Sequence, residues 1–273
     1  MLNYIKDWLD RRSERIRQER IKRVDVLKDM LSQIPTGKEL LALAEEKNFY
    51  ISFVSGLNSL AKYLPRTRIQ LSYVYPISRQ APILAHELRH AWQEFNGLAL
   101  RQKKDALDNI VNVRFGEADA FATEAQVAWE LTQYKVDPEA WTVFKKHNKE
   151  IATAYERAVK ASPKAVTSGL ARSRAFEAWF KTGHKDSYDQ SALEQVRVYA
   201  ARSRNGQRIA REFDAKRPEG APSRRSAAFL RQFGKTANGQ NYLDYFNFQA
   251  HHMNVTSKRT SRALTRHLRK ARA

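Results

Sequence analysis

The stretch Ala85-His-Glu-Leu-Arg-His-Ala-Trp-Gln-Glu-Phe95 contains His86-Glu87-Leu88-Arg89-His90, and the rest of the chain is read around it. Residues four apart share one face of an α-helix, so His86 and His90 project two imidazoles toward one point about a turn apart. That is the geometry a tetrahedral zinc ion needs. Glu87 then falls beside the metal, where a carboxylate can take the proton of a bound water. Ile83, Leu84, Leu88, Ala91, Trp92 and Phe95 make the flanks strongly apolar, which predicts a buried active-site helix rather than a solvated face.

Catalytic zinc is normally held by three side chains with one open position, so one ligand has to come from elsewhere. The segment Val113–Leu131 is apolar and alanine-rich, and it reads as a second buried helix with acidic residues inside it. Glu117 lies 117 − 90 = 27 residues after His90, enough chain to end one helix and bring another back antiparallel. A buried glutamate needs a partner, and a metal is a natural one. Small neighbours at Ala118, Ala120 and Ala122 allow close helix approach. Glu124, two turns further on, shares nearly the same face and is the rival ligand. Asp119 lies about 200° round the helix from Glu117, a position better suited to supporting a ligand from behind or capping another element.

His-Glu-Leu-Arg-His-Ala-Trp-Gln followed by Glu-Ala-Asp-Ala-Phe-Ala resembles the zincin metallopeptidases of the glutamate-ligand type. In particular it resembles an uncharacterised bacterial family described only as putative metallopeptidases. The likeness covers roughly residues 35 to 131. What it implies is a zinc hydrolase with His86, His90 and Glu117 as ligands and Glu87 as base. In many such enzymes the ligand glutamate stands four positions before an aspartate, whereas here Phe115 stands four before Asp119.

A chain of 273 residues with 42% hydrophobic content can bury a substantial core. It contains no cysteine, which excludes disulfides and thiolate ligands and is compatible with a reducing cytoplasm. Lys6, Asp7 and Asp10 interrupt the apolar core that a signal peptide requires, and no stretch approaches the roughly 18 apolar residues of a membrane span. The expectation is a cytoplasmic protein without a membrane partner. The net charge is +20, and it is uneven: residues 151 to 273 carry 25 Lys+Arg against 9 Asp+Glu, whereas residues 35 to 150 carry 15 against 14. Such a surplus suits nucleic acid or another polyanion as partner, although no DNA- or RNA-reading motif accompanies it and a solvated surface is the more ordinary reading.

In chain order, Tyr4 to Ile34 predicts a long helix, with Ile5, Leu9, Ile16, Val24, Leu27 and Leu31 at helical spacings. It would cover the catalytic part or pair with a partner chain. Pro35-Thr36-Gly37 breaks it, and 38 to 47 predicts a short helix. Phe49 to Val54 and Arg68 to Val74 predict strands, with a loop from Gly56 to Pro65 between them. If the second strand is a sheet edge beside the cleft, its unpaired backbone could hold an extended peptide; an internal strand is the equal alternative. Beyond Leu131 the chain reads as helical: Pro138 to Val159 carries Trp141, Phe144, Ile151, Tyr155 and Ala158, Ser173 to Phe180 follows, and 192 to 201, 208 to 213 and 226 to 233 are shorter candidates. The expected fold is α+β and predominantly helical, a small N-terminal sheet on the metal-binding helix pair followed by an all-helical basic C-terminal part. The expected divisions are 1–34 for the first helix, 35–135 for a zincin-like core, 136–254 for a basic helical region and 255–273 for a basic tail.

The chemistry also requires a donor for the oxyanion that develops when water adds to a carbonyl. Tyr242, Tyr245 and His251, with His252 beside it, are weak candidates, because a tyrosine in an aromatic run is usually core. The functional expectation is a zinc-dependent metallopeptidase acting on peptide or protein substrates. The alternative is a basic, helical, nucleic-acid-associated protein whose metal site is structural or degenerate.

Overall fold

A computed structural model of the chain describes residues 2–98, 106–202, 227–236, 239–249 and 252. The fold is α+β and predominantly helical, with one small sheet toward the N-terminus. It divides into two compact units, one comprising Met1–Trp92 with Thr123–His147 and the other Gln93–Ala122 with Asn148–Ala273. The candidates at 208 to 213 and 255 to 273 lie outside the described residues.

In the first unit, α1 (Leu2–Ser32) is followed by α2 (Pro35–Glu46), β1 (Tyr50–Val54), β2 (Ala61–Leu64) and β3 (Arg68–Ser72). Then come α3 (Ile77–Phe95) and α4 (Ala106–Gln133), and the division between the units falls inside both. The short α5 (Ala140–His147) closes this unit. The apolar stripe of α1 is buried from Val24 onward, through Leu27, Met30 and Leu31, while Ile16 and Ile21 upstream stay exposed. Arg23 ties this helix down: its guanidinium lies over the rings of Phe53 and Tyr73, and it donates to Gln80 Oε1 and to the Tyr75 carbonyl. One core holds Leu27, Leu31, Ile34, Leu40, Ile51, Phe53, Ile69, Leu71, Leu84, Leu88, Val127 and Leu131, so α1, the sheet, α3 and the later half of α4 exclude water together. The Glu130 carboxylate accepts from the Thr36 backbone N–H and hydroxyl at 2.9 and 2.7 Å. It thereby satisfies donors at the N-terminus of α2, where the partial positive charge of a helix favours an anion.

The strand order is β1-β3-β2, with β1 parallel and β2 antiparallel to β3. This corrects one expectation and decides between two alternatives. Residues 61 to 64, read as loop, form a strand; it is four residues long, none of them buried, and it lacks the in–out alternation that betrays a strand. A tight turn with Arg66 at φ 59° returns the chain into β3. Because β2 takes the outer place, β3 is central and both of its sides are paired, so it is not an edge on which a peptide could be laid. α3 starts at Ile77, so Pro82 lies inside it. Pro82 forfeits one backbone bond, and the helix continues through it.

The second unit contains α6 (Lys149–Ala161), α7 (Leu170–Trp179) and α8 (His184–Arg202), with a short helix at Ala227–Arg231 and 3₁₀ turns at Gln232–Gly234 and Tyr242–Tyr245. The single helix expected over 138 to 159 is broken at Asn148, whose φ of −133° and ψ of 53° are not helical. Phe115 of α4 is surrounded by Phe176, Phe180, Phe233, Phe246 and Phe248 at ring separations of 5.5 to 6.3 Å. Beside this aromatic core runs a buried ion pair. Arg114 Nε and Nη2 donate to the two Asp189 oxygens at 2.7 and 2.6 Å, with both side chains 1% exposed. Desolvation of two charges makes such a pair a weak net stabiliser, but removing one partner leaves the other uncompensated. Asp189→Ala is therefore expected to destabilise the protein by about 3–5 kcal/mol in urea unfolding. A loss under about 1 kcal/mol would mean the guanidinium finds another acceptor.

Candidate metal centre

The helical spacing within α3 does what the sequence implies: His86 and His90 lie one turn apart with Nε2 atoms 3.1 Å from each other. His86 is buried and His90 half-buried. The interior position follows from the apolar residues around them, since Leu84, Ala85, Leu88 and Ala91 are all fully buried. Arg89, between the histidines, is also buried and lays its guanidinium 3.7 Å from the ring centre of Trp92, a cation–π contact inside the same helix. Glu87 is 9% exposed on the same turn.

α4 carries the acidic residues. His86, His90 and Glu117 each offer one ligand atom, and these atoms lie within 4.8 Å of one another. Glu124, seven residues further along, takes a different place: its Oε2 is 3.2 Å from Nδ1 of His86. In the tautomer in which His86 donates to this carboxylate, Nδ1 carries the proton and Nε2 the lone pair. That lone pair faces His90. A tetrahedral divalent cation with metal–nitrogen bonds of about 2.1 Å separates neighbouring nitrogens by about 3.4 Å, close to the 3.1 Å found here. Two imidazoles and a carboxylate are also the donor set that borderline cations prefer. The residues present thus fit a divalent metal.

Asp119 stands elsewhere. It is fully buried, and its carboxylate accepts from Gln93 Nε2 at 2.8 Å, from the Tyr242 hydroxyl at 2.6 Å and from Arg172 Nη2 at 3.3 Å. Gln93 also donates to the Gly116 carbonyl, and Arg172 lies over the Tyr242 ring. Asp119 is therefore the hub that joins the end of α3, α4, α7 and the 242–245 turn within the second unit. Of the residues considered as oxyanion donors, Tyr242 gives its hydroxyl proton to Asp119, Tyr245 is 47% exposed, and His251 lies outside the described residues. His252 is buried against Phe180 and Phe246, its Nδ1 accepting the backbone N–H of Gln249.

One residue escaped the sequence reading. His147 ends α5 in a Lys145-Lys146-His147 run, which looks like the usual basic last turn of a helix. Burial pushes its pKa below the ordinary 6.5, the positive charges of Arg79 and Lys146 push the same way, and the carboxylate of Glu124 opposes them. His147 thus shares the field of the carboxylate that holds His86. No sequence signal marks this, because Glu124 and His147 are 23 residues apart.

Comparison with known proteins gives one family. The profile described as "Putative metallopeptidase family (DUF6782)" matches residues 7–243. No curated protein and no solved structure matches the chain. Among the described residues, no helix is long and apolar enough to cross a membrane.

The electrostatics around His147 can be read by NMR. Its imidazole is expected to titrate below pH 6.5, and Arg79→Gln to move the midpoint upward. Because the folded state disfavours the charged form, this group weakens folding only below pH 6.5, as the unfolded chain takes up the proton first. A midpoint at or above 6.5 would place His147 outside that positive field.

Proposed function

The chain belongs to the putative metallopeptidase family whose profile spans residues 7–243, and on that premise we propose that it is a zinc-dependent peptidase of the glutamate-ligand zincin type. In this reading His86, His90 and Glu117 hold the metal and Glu87 is the general base. The observation that carries it is the meeting of the two Nε2 atoms, 3.1 Å apart, with a Glu117 oxygen within 4.8 Å. His-Glu-x-x-His then names the base as well as the ligands.

When bound, zinc supplies Lewis acidity, lowering the pKa of a coordinated water to about 7. The chain's own groups do the rest. Glu87, buried beside the ligand His86, accepts the proton of the attacking water and passes it to the departing amine, so that one carboxylate serves as base and then as acid. His86 and His90 contribute lone pairs rather than protons. Water is restricted around them because His86, Glu87 and Glu124 are each under a tenth exposed.

Glu87→Gln removes the proton acceptor while keeping the side-chain volume. It is expected to retain bound zinc, by elemental analysis, while peptide turnover falls about 10²–10⁴-fold. His86→Ala is expected to lose the metal itself. Turnover by Glu87→Gln at the parental rate would eliminate Glu87 as the base, and metal retained in full by His86→Ala would eliminate the site.

A further inference from the structure

Resting on the reading above, we propose that Glu124 is a positioning residue for the metal site: it holds His86 in the Nδ1–H tautomer and turns the Nε2 lone pair to the point it shares with His90. Three observations converge on this. The Glu124 Oε2 to His86 Nδ1 contact is 3.2 Å, and both side chains are 10% exposed, so water competes weakly for either partner. The second ring nitrogen of His86 faces Nε2 of His90 at 3.1 Å, which leaves Nδ1 as the only nitrogen Glu124 can hold. An oxygen bonded at Nδ1 lies on the far side of the ring from Nε2, so the carboxylate that orients the imidazole is not placed to ligate a cation there. The group of mutually close ligand atoms accordingly contains Glu117 and not Glu124.

The arrangement gives α4 two separate tasks at one helical spacing. Seven residues are nearly two full turns, so Glu117 and Glu124 share a face about 10.5 Å apart along the axis. One carboxylate joins the converging nitrogens, while the other reaches the opposite edge of an imidazole. Carboxylates behind ligating histidines fix ring orientation and raise ligand basicity, and their loss typically costs 10–100-fold in metal affinity. A buried ion pair that merely supports folding would instead show its loss in stability and leave the metal indifferent.

The test compares the parent with Glu124→Gln and Glu124→Ala, using zinc affinity from chelator competition and the His86 tautomer from ¹⁵N NMR of the metal-free protein. Glu124→Ala is expected to bind zinc 10–100-fold more weakly and to lose the Nδ1–H preference. Glu124→Gln keeps an acceptor oxygen and the volume, so it should fold even if the alanine variant does not, and should restore most of both properties. Unchanged affinity and tautomer in both variants overturn the proposal. So does a loss as large as that of Glu117→Ala, which would make Glu124 a ligand. If the parent binds zinc but cleaves no peptide, the peptidase reading fails while the positioning role stands. If the parent binds no zinc, both fail.

Discussion

Two imidazole nitrogens 3.1 Å apart on a buried helix constrain everything around them. Two lone pairs at that distance repel, so the pair is tolerable only with a proton or a cation between them, and where His86 offers its Nε2 lone pair, its far nitrogen carries a proton that needs an acceptor. Glu124 provides that acceptor. In an apolar interior the hydrogen bond cannot be traded for water, so α3 and the α4 residue that serves it have to be held in place by extensive packing. The burial of Leu84, Leu88, Val127 and Leu131 in one core serves that purpose as much as stability.

α4 illustrates how a helix buried nearly all round can still carry many polar groups. Asp119, Glu124, Glu130 and Arg114 are each under a tenth exposed, and each has a partner of matching chemistry: a hydroxyl, an amide and a guanidinium for Asp119, an imidazole for Glu124, a helix N-terminus for Glu130, and a carboxylate for Arg114. Replacing such a pair as a whole by apolar residues of the same volume is often neutral or stabilising. The partners are therefore better understood as address labels, each admitting one neighbour in one orientation. The same logic accounts for Gly116, where a Cβ would approach Gln93 Oε1 to 3.2 Å while the Gly116 carbonyl receives the amide of that side chain.

Much of this was legible in the residues. The His-Glu-x-x-His spacing, the apolar flanks of α3 and the alanine-rich run of α4 predict two buried helices with acids facing inward, because 3.6-residue periodicity and burial are local properties. The strands β1 and β3 are equally plain from β-branched and aromatic alternation. β2 was not, since a four-residue edge strand without a buried residue carries no periodic signal, and without it β3 reads equally well as an edge or as a central strand. The break at Asn148 was hidden for the opposite reason: the apolar stripe continues in phase on both sides of it.

What the sequence by itself determined is the inventory of the site: two imidazoles one turn apart, a carboxylate next to the first, and two more carboxylates on one face of a later helix. Those follow from counting residues along helices. Which of the two later carboxylates meets the converging Nε2 atoms and which meets the reverse side of an imidazole was open, because seven residues return a helix to nearly the same angle and periodicity cannot separate them. Only the tertiary structure decided it, through the place of one helix along the other, which is set by the packing of side chains distant in the chain such as Leu84 and Leu88 with Val127 and Leu131.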